Sequence, residues 1–205
     1  MQYPYILMDP ATAYWQATIA TAVGGVQKAG NTSGVYLDQT ASYYAEPCSN
    51  LGGQKEGRFG GGSRWADGNR ATLEAAARAV GAGNAVVSES NAEAYLGSLH
   101  AYMAVYGWKQ CGVVPAFQAV YGGWSINIGG AQWPSGLDYN GVRMYLAQQW
   151  TFGHVMGWAE PATFLSNSST TWFTRLLAQL RVEHSQYLVF GRLMRRAITM
   201  PILVL

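Results

Sequence analysis

The feature that most constrains this chain is a regular alternation of short β-rich runs with longer stretches of helical periodicity. Residues 3–8 are the first such run. Asp9 and Pro10 then supply a helix start, ahead of Trp15, Ile19, Val23 and Val26 on one face, and the Gly24-Gly25 pair weakens that helix near its end. A second strand over 34–38 leads through a glycine-rich loop to a helix over 67–80, closed by Gly81 and Gly83. A third strand covers 85–89. The spacing of Tyr95, Leu96, Leu99, Tyr102, Met103 and Tyr106 predicts an amphipathic helix after it. Strands over 113–120 and 154–158, helices over 139–150 and 171–188, and a sixth strand over 187–191 complete the pattern.

Strand, helix, strand, helix means a parallel sheet. Doubly wound sheets and (β/α)8 barrels both satisfy it. A dinucleotide fold needs a glycine fingerprint at the first strand-to-helix turn, and Asp9-Pro10 stands there instead. Polar and acidic residues recur at strand ends: Asp9, Asp38 with Gln39, Glu89, Gln118 with Tyr121, and Trp158 with Glu160. That crown is where barrel enzymes place their active sites. The expected fold is α/β, a (β/α)8 TIM-barrel type that is incomplete, with about five to six of eight units. The whole chain, 1–205, is expected to be one partial barrel domain cut at both ends, its missing segments belonging to a longer parent chain.

Composition narrows the partners. Thirteen basic and eleven acidic residues give a net charge of +2, spread along the chain apart from Arg192, Arg195 and Arg196, so no nucleic-acid footprint is visible. The longest uncharged stretch, 110–137, carries two prolines and many glycines and amides and cannot span a membrane. No secretory signal is visible at the N-terminus, which leaves localisation open. Cys48 and Cys111 allow one disulfide at most, and no spacing suggests a metal; no cofactor is implied.

Among the acids, Asp38 closes an apolar strand with no basic neighbour in sequence, and Glu89 closes the next strand in the same way. Neighbouring strands lie about 4.8 Å apart, so carboxylates at both ends can reach the roughly 5–9 Å separations that glycosidases use. Glu93 is the alternative acid/base, although a first-turn acid is also what a helix dipole favours. Gln39, Tyr43, Gln118, Tyr121, Trp124 and Trp158 are candidate sugar-binding residues, because pyranose faces stack on aromatic rings and amides bond to hydroxyls; each aromatic also suits core packing. The run 57–63 lacks the Lys-Ser/Thr ending of a phosphate cradle and suits a substrate-side loop. His154 suits a core position better than a catalytic base.

The runs 34–39, 60–65, 86–93, 114–122, 153–158 and 190–195 resemble a bacterial, glycoside-hydrolase-like TIM-barrel family known as a domain of unknown function, distantly similar to α-N-acetylgalactosaminidase barrels. The resemblance implies a retaining glycosidase acting on a carbohydrate substrate, with the strand-four Asp as nucleophile and the strand-five Glu as acid/base. Those positions correspond to Asp38 and Glu89. The non-enzymatic alternative is a carbohydrate-binding or scaffold remnant of such a barrel.

Overall fold

The computed structural model describes residues 8–42, 63–104, 115–129, 139–157, 167–189 and 191. Four strands form one parallel sheet: β1 (Gly34–Leu37), β2 (Ala85–Glu89), β3 (Ala101–Ala104) and β4 (Ile126–Gly129). Their order in the sheet is their order in the chain, with no reversal. The register pairs Leu37 with Ser88, Ser88 with Tyr102, and Tyr102 with Asn127. Residues paired across a sheet share a face, so each strand divides its side chains between two opposite surfaces.

One surface carries Val35, Leu37, Val86, Ser88, Tyr102, Asn127 and Gly129, and the helices lie on it. Helix α1 (Ala13–Gly30) contributes Val23, and α2 (Arg64–Val80) contributes Leu73, Ala76 and Val80, to a core shared with Val86 and Tyr102. Phe117 of α3 (Ala116–Tyr121) stands edge-on to Tyr102, with ring centroids 5.3 Å apart. Gln149 of α4 (Tyr139–Thr151) fills the space over Gly129. Helix α5 (Ser168–Glu183) packs on α4 through Leu177, Val142 and Leu146, and α6 (Ser185–Leu188) follows it. Fully burying one such side chain is worth about 1.5–3 kcal/mol. Sequential parallel strands with their helices on one side are what crossovers of a single hand produce.

Helix α1 forms where a helix was expected, with differences in detail. Helix α1 continues through Gly24-Gly25 to Gly30, with Gly24 against Ala79 of α2 and open space at Gly25. The cap of α1 is Thr12, whose hydroxyl accepts from the Trp15 N–H at 3.3 Å; Asp9 instead accepts from the Ala11 N–H and pairs with Arg64. Val26, expected on the buried face, is exposed. Where α1 begins against α2, a side chain at Gly68 would put its Cβ 2.6 Å from the Ala11 nitrogen, so the approach needs glycine.

Other expectations fail. The helix predicted over 95–106 is a 3-10 turn (Glu93–Tyr95) followed by strand β3, which is held between β2 and β4. Gly97, at φ +89°, breaks the helical path, and β3 satisfies its backbone by laddering on both sides. The strand predicted over 113–120 is helix α3 from Ala116 onward, and the next strand is β4, ten residues later in the chain, a segment with no strand expectation. The strand over 154–158 is reduced to a single parallel bridge between Val155 and Ile128. Tyr187 and Leu188, expected to open a sixth strand, end helix α6. The strand over 3–8 falls almost wholly outside the described residues.

Candidate functional site

The second surface of the sheet carries Tyr36, Val87, Ala101 and Ile126, then Asp38, Glu89, Met103 and Ile128. Among the described residues no helix packs on it, and Tyr36 and Ile126 remain exposed. Extending the β1–β2 register one step beyond Leu37 and Ser88 sets Asp38 beside Glu89 at the edge where the strands end. Asp38, the first residue of the turn after β1, and Glu89, the last residue of β2, thus stand at the ends of adjacent strands, and such strands lie about 4.8 Å apart.

Local structure fixes each of them. Tyr36, two residues before Asp38 and so on the same face, donates its hydroxyl to Asp38 Oδ1 at 3.0 Å. The Tyr36 phenol is pushed above its ordinary value by burial first, then by that hydrogen bond and by the charges of Asp38 and Glu89. Glu89 Oε2 accepts from the Ser42 hydroxyl at 3.3 Å, so the turn after β1 folds back over the end of β2. Beneath this turn the Ser88 hydroxyl, fully buried, donates to the Leu37 carbonyl at 2.7 Å and accepts from the Ala41 N–H at 3.1 Å.

Backbone conformation marks the same two places. Among the described residues three that are not glycine have positive φ: Asn31 (+45°), Gln39 (+57°) and Ser90 (+65°). Asn31 caps α1. The other two directly follow Asp38 and Glu89. A left-handed conformation costs a side-chain-bearing residue roughly 1–3 kcal/mol, and such strain collects where function requires a particular turn.

The remaining candidates are spread elsewhere. Gln39 sits exposed beside Asp38. Glu93 accepts from the Tyr121 hydroxyl at 2.5 Å, and α3, which carries Tyr121, packs through Phe117 on Tyr102 of the helix-covered face. That hydrogen bond is the main reason the Tyr121 phenol is raised. Gln118 accepts a hydrogen bond from the buried Asn127 side chain on the same covered face. Trp124, 86% exposed, precedes β4 and so stands at the edge where strands begin, opposite Asp38 and Glu89. Tyr43 and Trp158 lie outside the described residues.

His154 is held neutral: burial, then the neighbouring Arg181 charge, lowers it to about 4. Arg181 donates to the His154 carbonyl at 2.5 Å. Among the described residues no three His, Cys, Asp or Glu side chains converge as a metal site. Tyr36, Ser42 and Ser88 were not among the sequence candidates. The period of two along β1 placed Tyr36 with Asp38, and that signal was available in the sequence.

The family described as a domain of unknown function, DUF6259, matches residues 2–133. A Monosiga brevicollis protein named "Putative glycoside hydrolase 22789" is 30% identical over 156 residues, which is 73% of this chain and 13% of that protein. The chain therefore spans about an eighth of the curated relative it matches. No solved structure matches. With a match that covers well over half its length, this α/β chain belongs to the DUF6259 family, and it has a relative that carries a glycoside hydrolase's name.

Proposed function

We propose that this chain forms part of a retaining glycoside hydrolase and supplies both of its catalytic carboxylates. The observation that carries the reading is that Asp38 and Glu89 stand at the ends of two paired parallel strands and that the charges of both act on Tyr36. Strand order that follows the chain, with helices on one side, suits an incomplete (β/α)8 barrel. Closing such a sheet turns the open face inward and puts both acids at the mouth where barrel enzymes work. Eight strands are needed for closure, so the proposal includes further barrel segments of a longer parent chain.

Asp38 attacks the anomeric carbon while Glu89 protonates the departing oxygen; Glu89 then takes a proton from the water that releases the sugar. Gln39 is near enough in sequence and space to bond to a sugar hydroxyl, and Tyr43 and Trp158 are retained as stacking residues. Gln118, Tyr121, Trp124 and Glu93 are left out of this reading, since Gln118 bonds to Asn127, Tyr121 and Glu93 bond to each other, and Trp124 precedes β4.

The test is a panel of aryl glycosides offered to the full-length protein and its Asp38→Asn variant. Loss of turnover by about 10³-fold or more, with sugar binding retained, supports the reading. Sugar binding without turnover, unchanged in Asp38→Asn, assigns the chain to a non-catalytic carbohydrate-binding role. Absence of both turnover and binding across the panel overturns the reading altogether.

A further inference from the structure

We infer that Tyr36 is the positioning residue of the nucleophile: its hydroxyl holds one oxygen of Asp38 and so presents the other to the anomeric carbon. The inference rests on the reading of Asp38 as the nucleophile. A carboxylate just beyond a strand end turns freely about two side-chain bonds, and attack requires one lone pair on the line to carbon. Tyr36 removes that freedom. It lies in β1 itself, two residues before Asp38, so the pleat of the strand sets its reach, and its hydroxyl bonds to Oδ1 at 3.0 Å. Oδ2 is then the oxygen that bonds to the anomeric carbon. The bond from that carbon to the leaving oxygen breaks with its electron pair, and Glu89 gives that oxygen its proton.

Two further observations favour this role over packing. Tyr36 is 38% exposed on the face without described helices, so its ring is not consumed by the core. Burial first, then the hydrogen bond to Asp38 and the charges of Asp38 and Glu89, push the phenol toward its neutral form, so it stays a donor to the carboxylate.

The experiment traps the nucleophile with the 2,4-dinitrophenyl 2-deoxy-2-fluoro glycoside of whichever sugar the aryl panel selects. That leaving group departs without a proton, so the trapping rate reports attack alone. In Tyr36→Phe the trapping rate constant should fall about 10- to 100-fold, the range of a lost hydrogen bond to a charged group. The reversible affinity for the trap should change by less than about twofold, and the melting temperature should stay within about 2 °C. An unchanged trapping rate in Tyr36→Phe, with Asp38→Asn untrappable, overturns the inference and leaves the nucleophile assignment standing. Trapping of Asp38→Asn at the wild-type rate overturns the assignment itself. A change confined to affinity makes Tyr36 a substrate-binding residue and also overturns the inference. Should Tyr36→Phe fail to fold, 3-fluorotyrosine at position 36 keeps the shape and alters only the acidity of the hydroxyl. A trapping rate constant that then shifts by more than about twofold at constant affinity supports positioning, and an unchanged one overturns it.

Discussion

The two faces of the sheet use the same kinds of residue for opposite purposes. On the helix-covered face the polar side chains are spent on structure: Ser88 ties β1 to its turn, and Asn127 bonds to Gln118. On the other face Tyr36 bonds to Asp38, Ser42 of the turn after β1 bonds to Glu89, and no described helix lies over them. Because residues alternate along a strand, the switch from one use to the other takes a single position: Ser88 is buried for structure, and Glu89 next to it faces away. What sorts the candidates is therefore the face on which each side chain stands, more than its chemical type.

The largest effect that could break this division is at Glu89. On natural glycosides Glu89→Ala should lose about 10²- to 10⁴-fold in turnover, the range for a missing general acid. The loss should be much smaller on a dinitrophenyl glycoside, and added azide should speed deglycosylation, because the vacated space admits a nucleophile that needs no base. Glu93→Ala should behave like wild type in all three assays. The reverse pattern would move the acid/base to the Glu93–Tyr121 pair and end the claim that the open face alone carries the chemistry.

Ser88 tests the covered face. Ser88→Ala leaves the Leu37 carbonyl and the Ala41 N–H without their buried partner, at a cost of about 2 kcal/mol. A fall in the denaturant midpoint with an unchanged m-value checks it. Turnover should fall less than in Glu89→Ala, since Ser88 supports the turn behind the site and touches no substrate. Wild-type stability in this variant would show that the buried hydroxyl is not what fixes the turn.

How much of this was legible depends on whether neighbours or local pattern decide each segment. Strands β1 and β2 and helices α1, α2, α4 and α5 stand close to their expected places, since each has a long periodic or β-branched run with clear stops. The segment from Glu93 to Gly129 was misread. Tyr95, Leu99 and Tyr102 satisfy a helical period and are equally buried by a 3-10 turn and a strand, and only the two flanking strands decide between them. That error carried into the site: Gln118 and Tyr121 were expected at a strand end and lie on a helix, while Trp124 precedes the strand actually formed. The adjacency of Asp38 and Glu89 follows from two well-patterned strands that are consecutive in both chain and sheet.

The smallest effect belongs to Tyr121, and it sharpens the contrast because Tyr121 and Tyr36 make the same bond, a phenol donating to a carboxylate. Tyr36 sits in the sheet at 3.0 Å from Asp38; Tyr121 ends a six-residue helix at 2.5 Å from Glu93; both bonds lie at the surface. The shorter distance alone would suggest that the Tyr121 bond matters more. Both bonds are exposed, so what separates them in this reading is the acid each one holds. Asp38 is the proposed nucleophile and Glu93 has no part in the proposed chemistry, while an exposed phenol released from its partner recovers a hydrogen bond to water. Tyr121→Phe should therefore shift the melting temperature by less than about 2 °C and leave turnover and the trapping rate unchanged. The ring itself contributes through Phe117, 4.9 Å away, so Tyr121→Ala should destabilise more than Tyr121→Phe while still sparing the chemistry. If Tyr121→Phe slows trapping as much as Tyr36→Phe does, the covered face takes part in the reaction, and a side chain's face no longer predicts its role.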